Sequence, residues 1–503
     1  MSSPLDNGFM GASLAGLLFA AVVGHAAEPV SAGPLYERFS LTLGLGERTE
    51  ALGPLWSDER LGTERTVSLA PLFARREAPE VEALSWDLFY PLMTYDRYGA
   101  EYRYQFLQWV SLSGGQSQAG IGARRTTLFP LYFQQRSPDP KQNYTALLPF
   151  YGRMQNHFFR EEVRFVLFPA YLQTRKKDVV TDNYLAPFFH LRHGQGLEGW
   201  QFWPLAGHEH KSPTTRTNGF GEVEPVGGHD KRFVLWPFYF NNRLGLGTTN
   251  PLSQHVLFPL VSSQRSPARD STTYLWPLGL TLTHDREKQY REVGLAAPLV
   301  VFARGEGKTA NRVWPFFSEV HTAHLESDFY LWPLFKYNRA HIDPLDRERM
   351  RLLLFLYSDL SEKNTESGKA LRRTDLWPLF TARRDLEGNE RFQMLALLEP
   401  FLPNNPSIER SYSRVWSIWR SERSARTGAA SQSLLWNLYR REITPQRTKW
   451  SVLFGLVQCQ TGAAGGGFWL FHVPLKQPRP AAAAAPGEPR SAVAPAAGAP
   501  APK

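Results

Sequence analysis

The chain has 503 residues, 13% aromatic and 42% hydrophobic, with a formal charge of +10. Beyond the first thirty residues no apolar run reaches the roughly 18 residues that a membrane-spanning helix needs, which excludes helical spans but not a β-barrel. The arginines are scattered without a compact basic block, so nucleic acid is not an expected partner; outer-membrane lipid, lipopolysaccharide or anionic solutes suit the charge better.

The N-terminus resembles a secretory signal peptide: residues 12–23 are an apolar core, followed by Gly24, His25 and Ala26, small or compact residues where cleavage would fall. The segment before it departs from the pattern, lacking Lys and Arg and carrying Asp6. Residues 1–26 are therefore expected to be removed on export.

From residue 27 to 475 one box recurs. Its clearest copies are Leu235-Trp236-Pro237-Phe238-Tyr239, Leu331-Trp332-Pro333-Leu334-Phe335 and Leu376-Trp377-Pro378-Leu379-Phe380. Looser copies centre on Pro54, Pro71, Pro91, Pro130, Pro149, Pro169, Pro187, Pro204, Pro259, Pro277, Pro298, Pro315 and Pro400. Copies without proline lie near Trp109, Phe355, Ser417, Asn437 and Gly455, and a last one surrounds His472. Most centres are about 17 to 23 residues apart, the signature of one supersecondary unit repeated along the chain.

Each unit joins an apolar segment of about eight residues to a polar stretch rich in Asp, Asn, Gly, Ser, Lys and Arg, which reads as strand followed by turn. Trp, Phe, Tyr, Val and Leu favour extended backbone, and the proline opposes a helix. Spacing this short leaves no room for crossover helices. The expected fold is all-β: a repetitive antiparallel meander of about 22 strands, closed into a large outer-membrane-type β-barrel. The alternative is a β-solenoid or stacked-sheet repeat with proline at the corners. Two features oppose the barrel: both strand faces are apolar at the centre, and a proline in mid-strand cannot donate a ladder hydrogen bond.

Counted from the proline, even positions carry Phe or Tyr and then arginine at the sixth place: Arg97, Arg136, Arg175, Arg243, Arg265, Arg304, Arg339 and Arg384. With one strand per box these arginines would fall alternately near the two ends of the strands, forming a cationic rim or lumen; solvated strand-end arginines are the plainer reading. The odd positions, Trp or Phe before the proline and Leu or Phe after it, would face lipid.

The interval 205–232 breaks the rhythm and is expected to be a long loop, the place for a plug or a surface epitope. After residue 475 the composition turns to Ala and Pro, so 476–503 should be an extended, disordered tail.

Chemistry is hard to find. Gly305-Glu306-Gly307-Lys308-Thr309 lacks the first glycine of a phosphate-binding loop, with Phe302 in its place, and reads as a turn. His208 and His210, or His321 and His324, could meet a metal only with a third ligand that the sequence does not supply. Cys459 is the sole cysteine, so no intrachain disulfide forms, and its apolar setting suggests an inert thiol. No catalytic residue, metal or cofactor is assigned. The expectation is an exported, non-enzymatic barrel of the Gram-negative outer membrane acting as a channel or transport element; the alternative is a β-repeat scaffold in the periplasm or on the cell surface. The resemblance is to the general outer-membrane barrel plan, not to a particular family.

Overall fold

The computed structural model describes residues 35–116, 122–463, 465–471 and 473–476. The expected signal peptide, residues 1–26, and the Ala/Pro tail beyond Lys476 lie outside the described residues, as does His472. Among the described residues no helix is long and apolar enough to cross a membrane.

The described chain is almost wholly β. One sheet contains 43 strands, and Thr214–Thr217 pairs with Val223–Val226 in a separate two-stranded sheet. Strands of the large sheet pair antiparallel with their sequence neighbours, so the array is a meander and not a coil of stacked rungs. Its first strand, Glu37–Ser40, pairs with Gly46–Ala51, and its last, Val473–Lys476, with Gly467–Leu470.

The strand count corrects the expectation of about 22, and the proline explains why. The box is a turn, not a strand centre. Leu325–Tyr330 enters one box, Phe335–Ile342 leaves it, and Tyr330 faces Phe335 across residues 331–334. Asp343 and Pro344 then turn the chain polar-side back into Leu345–Leu352. The repeats thus yield two strands each, typically of six residues and about 20 Å, except that the copies at Pro400 and Ser417 share one connection, residues 395–418, without a strand between them. Proline is tolerated because the turn asks it to accept, not donate: Trp332 N donates to the Pro315 carbonyl at 2.7 Å, and Trp236 N to that of Pro204 at 2.7 Å. Each box proline from Pro71 to Pro378 follows a cis peptide bond.

Most box turns have three or four residues, and the one at Pro277 has five, Leu275 to Gly279. Leu69 faces Phe73 across the three residues Ala70, Pro71 and Leu72. In the four-residue form the second residue before proline adopts a left-handed conformation, as at Leu167 (φ 47), Leu185 (φ 48), Leu235 (φ 51) and Leu331 (φ 46). The polar hairpins at the other ends are tight. Gly194 faces Leu197 across Gln195 (φ 49) and Gly196 (φ 69), the paired positive φ that matches strand twist.

Residues 205–232, expected to be a loop, carry strands Ala206–Lys211 and the start of Gly228–Val234, which pair in the large sheet. The excursion is only the small hairpin between them, ending at Phe220, which is 93% exposed. His, Glu and Thr alternate through this interval in a way that extended backbone accepts, and the Gly-rich turns hid the strands.

The two faces differ. One bears aromatic ladders next to the boxes: Tyr171, Tyr184, Phe189 and Phe202 follow each other at centroid separations of 5.4, 5.9 and 6.4 Å. The other holds the core as small and apolar residues, including Ala74, Ala146, Ala303, Ala310 and Ser318, all nearly inaccessible. Phe133, Tyr144, Met154, Val163 and Phe165 form its largest cluster. Gly152 is needed there: a Cβ would lie 2.5 Å from both the Phe165 ring and the Ala146 Cβ.

Candidate interaction surface

Because each repeat contains an even number of strands, all boxes fall on the same edge of the array. Their rings meet from repeat to repeat: Phe188 to Trp203 at 6.0 Å, Trp203 to Trp236 at 5.6 Å, Phe258 to Trp276 at 5.4 Å and Trp314 to Trp332 at 6.0 Å. These contacts leave much of each box in solvent. Trp109 is 67% exposed, Leu275 61% and Leu278 75%. The residues flanking the proline, expected on the odd face of a strand, therefore sit in turns along one apolar rim.

The same parity moves the arginines. Arg97, Arg136, Arg175, Arg243, Arg265, Arg304, Arg339 and Arg384 all lie on strands that leave a box, and all on the face of the aromatic ladders. They form one row toward the polar edge and do not alternate between two edges. Seven are exposed, and Arg339 is half-buried. Arg339 pairs with Asp346 at 2.9 Å. Among the described residues the other seven have no carboxylate oxygen within 4.0 Å. Arg136 and Arg304 instead donate to backbone carbonyls, those of Tyr144 at 2.9 Å and Ala310 at 3.0 Å.

Sequence reasoning missed a second feature, a charged seam where the two ends of the array meet through their core faces. The Arg440 guanidinium stacks 3.6 Å over the Phe39 ring, Thr42 Oγ1 donates to Ser431 Oγ at 2.6 Å, and Asn437 Nδ2 to Glu50 Oε2 at 3.0 Å. A short helical insertion between strands Glu390–Met394 and Trp419–Arg423 extends the seam. From it Arg410 reaches Asp87 at 2.7 Å and Arg414 reaches Glu59 at 2.8 Å. A sequence signal for this insertion exists: Asn405 caps the helix by accepting from Ser407 N, with Pro406 in the first turn.

The seam's charges are strongly perturbed. Burial would raise the Glu59 carboxyl, but Arg48 and Arg414 beside it bring it down to about 2. Glu37 goes the other way: burial raises its carboxyl to about 7, against the pull of Arg440 and with the help of Glu50.

The weaker candidates lie on strands and in hairpins. His208 Nε2 lies 3.2 Å from Asp230 and His321 Nε2 3.5 Å from Asp328, each a pair on neighbouring strands. Among the described residues no group of three or more His, Cys, Asp and Glu is placed to hold a metal. Gly305 to Thr309 makes a hairpin whose Lys308 pairs with Glu292 and lies over the Tyr290 ring. Cys459 is partly buried in a strand. A scan against protein-family models finds no match, and a search of curated proteins finds no similar sequence.

Proposed function

We propose that this chain is an exported, non-enzymatic β-repeat scaffold of the cell envelope, associated with a membrane through its box edge. The observation that carries this reading is the concentration of exposed Trp, Phe and Leu on one edge of a 43-stranded sheet. Soluble proteins seldom leave apolar patches beyond a few hundred Å², and 43 strands at about 4.8 Å each give an edge roughly 200 Å long.

Strand length favours this scaffold over the outer-membrane channel. Six residues rise about 20 Å upright and less when tilted, whereas a barrel wall needs about 9–11 residues and an apolar band about 25 Å tall. The meeting of the two ends at the seam favours the barrel as the second reading, since it would complete a closed wall. Cell fractionation decides between them. A scaffold is expected in the envelope fraction and is released by alkaline carbonate, while a barrel stays with the membrane and migrates differently on a gel before and after boiling. Recovery in the soluble fraction without any extraction would overturn both.

A further inference from the structure

We infer that the box rim inserts into one leaflet of an anionic lipid membrane, with the row of arginines meeting the lipid phosphates from above. This deepens the envelope-scaffold reading and rests on it. Three independent observations point to it.

The first is conformational. Leu167, Leu185, Leu235, Leu275 and Leu331 hold φ between 46 and 51 at turn positions where glycine is the ordinary residue. They are also exposed, from 54% at Leu235 to 64% at Leu185. A large apolar side chain retained in a strained conformation without being buried within the fold has its use outside it. The second is chemical. Trp and Tyr, the residues that partition to the boundary between acyl chains and headgroups, line this edge at Trp203, Trp236, Trp276, Trp314 and Trp332, with Tyr184 and Tyr330 in the row above.

The third is the charge and its height. From the aromatic row at Phe335 to the arginine row at Arg339 is four residues, or about 13 Å. Insertion of the rim to the usual interfacial depth of about 5–10 Å puts the aromatic row near the hydrocarbon boundary. The headgroup layer extends roughly 5–7 Å above it, within reach of arginine side chains that fold back along the sheet. Among the described residues seven of those arginines lack a carboxylate partner, in a chain of net charge +10. Glu162, Asp230, Asp270 and Glu390 face Arg175, Arg243, Arg265 and Arg384 on neighbouring strands without reaching ion-pair distance, so a phosphate-bearing surface adds to a partial counter-charge, whereas a second copy of this chain, also at net charge +10, would add like charge.

The test is flotation of the full-length protein with vesicles of phosphatidylcholine alone and of equal parts phosphatidylcholine and phosphatidylglycerol, at low and physiological salt. Wild-type protein is expected to float with the mixed vesicles, less so as salt rises, and its Trp fluorescence to be quenched by lipids brominated high in the acyl chain. The triple variant Leu235→Gly, Leu275→Gly and Leu331→Gly relieves backbone strain and so keeps the fold, and it should lose roughly tenfold or more in vesicle affinity. Replacing Arg97, Arg243, Arg265 and Arg384 with Gln should abolish the preference for phosphatidylglycerol while sparing residual binding. The inference is overturned if the glycine variant floats as well as wild type, or if the rim proves to be a contact between copies, seen as a dimer in solution that the glycine variant dissociates. Those results leave an exported envelope scaffold standing but remove its membrane contact through the box edge. Soluble recovery of the wild type from cells together with no flotation on either vesicle removes both.

Discussion

A leucine at φ 46, such as Leu331, bears a left-handed penalty of about 1–2 kcal/mol, more than the extra unfolded-state freedom that glycine brings, about 0.5–1 kcal/mol. Leu331→Gly is therefore expected to raise the urea midpoint slightly, through a stability gain of roughly 0.5–1 kcal/mol. Leu72, in a three-residue turn without positive φ, should respond in the opposite direction to the same substitution. A common sign for the two variants would show that turn conformation is not what distinguishes them. At the seam Glu37 has a folded pKa of about 7, raised above its ordinary 4.5. The folded state then favours the protonated carboxyl, so its contribution to stability is full below about 4.5 and lost as pH rises to about 7. Glu37→Gln should flatten the pH dependence of stability over that window and leave the variant more stable than wild type above it, as equilibrium urea titrations at several pH values would record.

Strand, box turn, strand and polar hairpin make the working element, and its sequence period was plain while its internal geometry was not. Proline marked the centre of each unit, but composition treats a turn of Trp, Pro and Leu as strand because every residue except proline has high β propensity. Hydrogen bonding decides otherwise: a residue without an N–H fits where only its carbonyl is used, as at Pro315 and Pro204. The interval 205–232 hid strands for the reverse reason, since polar residues on a half-solvated strand look like loop. This difference yields a prediction. Lys211 faces His229 in the large sheet, so the chain between them is dispensable to the main ladder. Replacing residues 213–227 by Asn-Gly should preserve the far-UV spectrum and change the urea midpoint little; collapse of the spectrum would mean that the small hairpin supports the sheet around it.

Across the whole molecule the ends of the array are joined by buried or partly buried charges on insertion and strand, with Arg410 on Asp87 and Arg414 on Glu59. Removing one member of such a pair leaves its partner buried and unpaired, which costs about 3–5 kcal/mol. Arg410→Ala with Arg414→Ala should release the ends without unfolding the middle of the sheet. Small-angle scattering is expected to record a larger radius of gyration with strand content unchanged by circular dichroism. An unchanged radius would mean that the other seam contacts, those of Phe39, Thr42 and Asn437, suffice.

The amino-acid sequence by itself determined that this chain is all-β, antiparallel and repetitive, and it named the arginines that later proved to share one row. Those properties follow from local chemistry: side-chain preference for extended backbone, turn residues at short intervals, and a constant offset from each proline. Only the tertiary structure decided how many strands each box makes, and therefore that the apolar turns share one edge and the arginines one face. It also brought Glu59 to Arg414 and Asp87 to Arg410, more than 300 residues apart. Parity and long-range contact are not properties of any single repeat; they depend on whether the chain reverses once or twice per unit, and on where the ends of a long curved sheet come to rest.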